Sequence, residues 1–246
     1  MTAPSRFHAP DADAAGQQLS LRGEEHHHLS RVLRLKPGDT LSLFDGKGRG
    51  FTARLLSVGR DASLVRVIEQ ESGSGESPLD LRLAVALSKS DKLDWVIQKG
   101  TELGVQAYHL LPARRSDLRL PADRAPQRMA RWRRVALEAC KQSGRFRIPE
   151  VHPPETLESF LASDLPPLRI LLDPGARSAF HEGGMDPASR SLVVATGPEG
   201  GWEPDEVESF RAAGFVALRL GPRVLRCETA AMAAAALCQF LSGDLR

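Results

Sequence analysis

The chain has 246 residues, 41% of them apolar and 26% charged, with a formal net charge of +2. These proportions are those of a globular protein and exclude a disordered or collagen-like chain. Three cysteines without a CxxC pair exclude a disulfide framework. No apolar run reaches bilayer length, and the stretch before Gly16 lacks the apolar core of a signal peptide, so the expected compartment is the cytoplasm, with no membrane partner.

In chain order, a short helix is expected over about 24–34. His26, His27 and His28 stand on it in succession. Consecutive helical side chains diverge by about 100°, and no other ligand stands at the right spacing, so no metal is expected. Apolar runs at 41–45, 50–59 and 63–70 follow, separated by Pro37-Gly38-Asp39 and Asp45-Gly46. Short strands at that spacing predict a small β-barrel. A Ser/Gly-rich linker over 71–78 places the domain boundary at 75/76, giving domains 1–75 and 76–246.

Beyond the linker, strand and helix patterns alternate. A strand is expected at 81–87 and an amphipathic helix at 92–103. A further helix (127–142) and strand (168–172) follow. This alternation predicts an α/β domain with a mostly parallel sheet. The basic excess of the chain falls in this first half of the domain, densest at Arg114, Arg115, Arg119, Arg124, Arg128, Arg131, Arg133 and Arg134. Such a stripe is the footprint of a polyanion, and arginine suits phosphates and bases. A solvated helix face is the plainer reading, but the imbalance exceeds what i,i+4 pairing absorbs. Cys140 and Ser143 lack a His at motif spacing and are read as structural.

The most informative stretch is 191–221: an apolar run, the turn GPEGGW, a helix pattern opened by Pro204, and a second apolar run at 215–220. The glycine spacing fits neither GxGxxG nor a P-loop. Glu199, Glu203, Asp205 and Glu206 surround it, which suits a helix N-terminus and a neutral or cationic ligand better than a phosphate. A tight, well-capped turn with no ligand is the competing reading. Gly221-Pro222 ends the second run. Arg223 and Arg226 then lead into an alanine-rich helix over about 228–241, expected to bury its small residues against another segment or subunit.

GPEGGW followed by LGPRVLRCETAA resembles the cofactor loops of the bacterial 16S ribosomal RNA uracil-N3 methyltransferases, of the knotted SPOUT class. HHLSRVLRLKPGDTLSLFDGKG (27–48) resembles that family's N-terminal RNA-binding barrel. SKSDKLDWVIQKGTELGV (88–105) and RWRRVALEACKQSGRFRIPEV (131–151) resemble the start and the central helix of its catalytic domain. Two departures stand out: Thr196 where relatives carry Ile, and Cys227 where they carry Thr.

The resemblance implies a PUA-like β-barrel followed by a parallel-sheet SPOUT domain with a C-terminal trefoil knot. It implies a homodimer that methylates N3 of a uridine in 16S rRNA of the small ribosomal subunit, using S-adenosylmethionine. By the same resemblance the cofactor residues are Leu172, Thr196, Gly197, Pro198, Glu199, Gly200, Gly201, Leu220, Gly221, Leu225, Arg226, Glu228 and Thr229. Arg145 and Arg226 are the expected stabilisers of charge developing on the uracil, and Glu102 the expected base. Arg6, Arg31, Arg34, Arg114 and Arg115 are the expected RNA contacts. Two rival readings are a SPOUT enzyme acting on another RNA site and an assembly factor that only binds RNA.

Overall fold

The structure, a computed structural model, describes residues 5–245 apart from 74, 89, 117, 119, 122 and 184–187, so Arg119 of the basic stripe lies outside the described residues. The chain divides into two compact units, 1–76 with 140–148, and 77–139 with 149–246.

The first unit is built on strands β1 (Arg6–His8), β2 (Gln18–Arg22), β3 (Thr40–Phe44), β4 (Gly50–Val58) and β5 (Ala62–Gln70), in the order β1-β3-β4-β5-β2. β1 runs parallel to β3, and the other pairs are antiparallel. Alternation along the strands sends Phe7, Leu21, Leu41, Leu43, Phe51, Leu55, Val65 and Val67 into one core. Register shifts at Thr52/Ala53 and Leu55/Ser57 bend β4. The result is a curled sheet, with no β1–β2 ladder among the described residues. Helix α1 (Gly23–His27) passes into a π-helical turn (His28–Val32). His26 is buried, its Nδ1 2.8 Å from Ser63 Oγ and its Nε2 3.2 Å from Arg60 O, which gives it a packing role. β1 and β2 were not expected from the sequence.

Residues 140–148 belong to this unit although they lie far along the chain. Ile148 N donates to Gly46 O (3.0 Å) and Gly48 N to Phe146 O (3.1 Å). Phe146 packs so closely on Gly50 that a Cβ there would stand 2.3 Å from its ring.

The second unit carries β6 (Asp80–Ala86), α2 (Ser90–Glu102), β7 (Ala107–Leu111), α3 (Ala125–Ser143, its end counted with the first unit), β8 (Glu150–Val151), α4 (Leu157–Leu161), β9 (Leu168–Leu172), β10 (Ser191–Thr196), α5 (Pro204–Ala212), β11 (Val216–Leu218) and α6 (Cys227–Ser242). The six strands form one parallel sheet in the order β11-β9-β10-β6-β7-β8. Its centre reads as unbroken apolar sequence: Leu192, Val193, Val194 and Ala195 of β10 are fully buried. The alanine-rich α6 packs on α2, β10 and β6, with Ala231, Ala234 and Ala235 buried. No helix among the described residues is long and apolar enough to cross a membrane.

Candidate active site

β9, β10 and β11 end at one level of the sheet: Thr196 lies opposite Leu172, and Leu172 opposite Leu218. The segments that follow them, 172–174, 196–202 and 220–225, line a cavity of about 380 Å³. It stands at the carboxyl ends of parallel strands, where the strand order reverses and β10 enters between β9 and β6. Open α/β sheets bind ligands at such a point.

The glycines of these loops have separate local reasons. Gly201 (φ 72°) and Gly221 (φ 73°) turn in the left-handed region. A Cβ on Gly197 would stand 2.9 Å from the Trp202 Nε1, and one on Gly200 would stand 3.0 Å from the Arg115 Cβ. α5 then starts at Pro204, with Glu206 Oε2 accepting from Glu203 N at 2.8 Å. The other Glu206 oxygen accepts from Arg114 N at 3.0 Å. Arg115 clamps the loop, donating to both oxygens of Glu203 and to Gly200 O (2.9 Å).

Charge gathers around Glu199, which lines the cavity. Lys92, in the first turn of α2, donates to Glu199 Oε1 at 2.5 Å and lies 3.9 Å from Glu228 Oε2. The hydrogen bond to Glu199 raises the Lys92 pKa, so this amine stays an ammonium. Cys227 Sγ lies 3.1 Å from Glu228 Oε2. Burial, then that carboxylate, pushes the Cys227 thiol up to about 12, so it is a neutral thiol rather than a nucleophile. Thr196 Oγ1 and Trp202 Nε1, both of residues that line the cavity, are buried without a hydrogen-bond partner among the described residues. Polar atoms left so are costly and mark a place for a ligand's polar groups.

Leu172, Thr196, Gly197, Pro198, Glu199, Gly200, Gly201, Leu220, Gly221 and Leu225 line the cavity together. Arg226 is the N-cap of α6 and exposed beside it, Thr229 is exposed on the next turn, and Glu228 reaches the wall through Lys92 and Cys227. Asp173, Pro174, Trp202, Leu218, Arg223, Val224, Cys227 and Ala230 also line it, as does Arg115. Of these Trp202 was within reach of the sequence, because it closes the GPEGGW turn.

Two expected catalytic residues stand elsewhere. Glu102 ends α2, ten residues from Lys92, about 15 Å along the axis at the usual helical rise, and it pairs with Lys99. It is not among the residues that line the cavity. Arg145 lies in the first unit, almost fully buried, its Nε and Nη2 held by Glu76 Oε2 at 3.1 and 2.8 Å. A guanidinium so enclosed braces its own loop.

The expected RNA contacts also divide. Arg31 and Arg34 are exposed, and neither has an ion pair among the described residues. Arg34 takes a left-handed conformation (φ 54°), rare for its side chain. Arg6 is half-buried, its Nε enclosed. Arg114 pairs with Asp205 (2.5 Å) and Arg115 with Glu203, both at the start of α5, and both arginine side chains stay exposed. Among the described residues no group of three or more His, Cys, Asp or Glu side chains is arranged to hold a metal.

A parallel α/β unit with this cleft and a curled β unit in the same chain are the parts of an RNA methyltransferase with a PUA domain. The RNA methyltransferase domain model matches residues 75–239 and the RNA methyltransferase PUA domain model residues 21–68. The chain is 34% identical to the ribosomal RNA small subunit methyltransferase E of Bacillus subtilis, over 93% of this chain and 92% of that one. The crystal structure of the Neisseria gonorrhoeae ribosomal RNA small subunit methyltransferase E bound to S-adenosyl methionine superposes with a TM-score of 0.90 at 34% identity, covering 99% of this chain and 100% of that one. The structure of a putative methyltransferase from Legionella pneumophila in complex with the same cofactor gives 0.92 at 33% identity, with the same coverage. The chain belongs to the ribosomal RNA small subunit methyltransferase E family.

Proposed function

We propose that the protein methylates N3 of a uridine in 16S rRNA, with S-adenosylmethionine as donor. The observation that carries this reading is the cavity at the ends of β9, β10 and β11, lined by the GPEGG and LGPRVL loops. The residues present fit the donor. Enclosed polar atoms at Thr196 and Trp202 await partners. Glu199 and Glu228 suit a cationic ligand. Its sulfonium supplies the methyl group.

The chain's own residues place the acceptor and hold its charge. N3 lies on the Watson–Crick edge, so the uridine enters unpaired or flipped out. N3 must lose its proton, and negative charge then grows on the uracil oxygens. Arg226, exposed at the N-terminus of α6, stabilises that charge together with the helix end behind it. Arg31 and Arg34 hold flanking phosphates, which position the RNA without reading its sequence.

The same reading includes the trefoil knot, a cytoplasmic enzyme and a homodimer. For the dimer, Leu237 and Phe240 on α6 are 39% and 59% exposed, an apolar stripe suited to a second copy. Light scattering at micromolar concentration tests it, and a monomer removes it.

The function is tested with small ribosomal subunits from cells lacking the gene. They are incubated with the protein and methyl-labelled S-adenosylmethionine, and the 16S RNA is digested to nucleosides. Label in 3-methyluridine is the expected result. Label in another nucleoside overturns the target, and RNA binding without label overturns the activity.

A further inference from the structure

We infer that Lys92 sets how strongly the pocket prefers the cationic methyl donor to the demethylated product. The inference rests on the methyl-transfer reading above. Donor and product differ at one atom, a sulfonium in the first and a neutral thioether in the second. A pocket discriminates between them by the charge on the wall it presents.

Glu199 lines the cavity, and the Lys92 ammonium joins it to Glu228, 2.5 Å from the first and 3.9 Å from the second. The three side chains are only 25%, 28% and 16% exposed, so their fields are screened less than those of surface pairs. Cys227, which packs between both carboxylates at 3.1 and 4.0 Å, stays a neutral thiol and leaves the balance unchanged. Removing the ammonium makes the wall more negative by one charge, whatever else touches Glu199.

The two carboxylates favour a sulfonium, and the ammonium partly offsets them. A wall without Lys92 holds the donor more tightly and the product no more tightly than before. Lys92 therefore keeps donor affinity moderate, so that binding energy is left for the transition state rather than spent on the ground state. A purely structural tie between α2 and the 196–202 loop predicts something different: loss of Lys92 loosens the loop and weakens both ligands alike.

The test is calorimetric titration of the whole protein with S-adenosylmethionine and with S-adenosylhomocysteine, at low and high salt. Lys92→Met is expected to raise the ratio of donor to product affinity by about five- to tenfold, the scale of one charge at close range in a partly screened site. Glu228→Gln lowers the ratio by a similar factor, Lys92→Arg holds it near the parent value, and high salt compresses all the differences. A ratio unchanged in both Lys92→Met and Glu228→Gln overturns the inference and leaves Lys92 as a structural tie. If the parent protein binds neither ligand, the methyl-transfer reading falls and this inference with it.

Discussion

Arg115 and Glu203 form a two-pronged ion pair, Nε to Oε1 at 2.7 Å and Nη2 to Oε2 at 2.9 Å, while the remaining nitrogen of the guanidinium holds Gly200 O. An arginine from the basic stripe thus clamps the acidic turn of the cavity. Arg115→Ala is expected to weaken S-adenosylmethionine about three- to tenfold, as loss of a supporting contact does, and to change RNA affinity little. Calorimetry with the cofactor beside filter binding with RNA separates the two. A variant impaired in RNA binding alone would return Arg115 to the RNA surface.

Arg31 and Arg34 should behave in the opposite way. The double substitution to Ala is expected to leave cofactor affinity intact. It should flatten the dependence of log affinity on log salt for RNA by about 1.5, the share of two lost phosphate contacts. A salt titration of RNA binding measures that slope, and an unaltered slope would place the RNA elsewhere.

Glu76 is the anchor of the 144–148 loop. Its carboxylate accepts from Arg145 and from the backbone N–H groups of Phe146 (3.0 Å) and Arg147 (2.8 Å). Glu76→Ala removes the carboxylate that faces a buried guanidinium and should cost about 3–5 kcal/mol of stability, read by denaturant unfolding. Activity of Arg145 variants is therefore informative only well below their melting temperature.

Acid should destabilise the protein through His109. Burial, the largest effect, lowers its pKa, as does His152 stacked at 4.4 Å, against a hydrogen bond to Glu155 that raises it. The unfolded chain then takes up the proton first. Stability is fully present above the free-histidine value near about 6.5 and is lost as pH falls through the lowered folded value. Melting curves from pH 7 down to about 5.5 should show this decline, and His109→Gln should make it shallower.

How much of this was legible beforehand depended on the range of each interaction. The 191–221 stretch could be read because its signals are local: Pro204 at a helix start, glycines at left-handed turns, and an unbroken apolar run at β10. β1 and β8 span only three and two residues, too short for any periodicity to emerge. α4 is a single turn-and-a-half capped by Thr156, whose side chain accepts from Ser159 N. The charged wall was half visible. Glu199 and Glu228 belong to motifs, but Lys92 meets its partner 107 residues away. The Arg115–Glu203 pair was hidden for the same reason, since its two partners lie 88 positions apart.

The first unit borrows residues 140–148 from the far side of a long excursion through the second. During synthesis the N-terminal sheet therefore waits for a chain segment past the midpoint before Phe146 can cover Gly50 and Arg145 can meet Glu76. A nascent chain arrested near residue 100 carries all five strands of that sheet yet lacks its last wall. The chain passes between the two units three times, so a single cut in the 71–78 segment parts the five strands of the first unit from its residues 140–148.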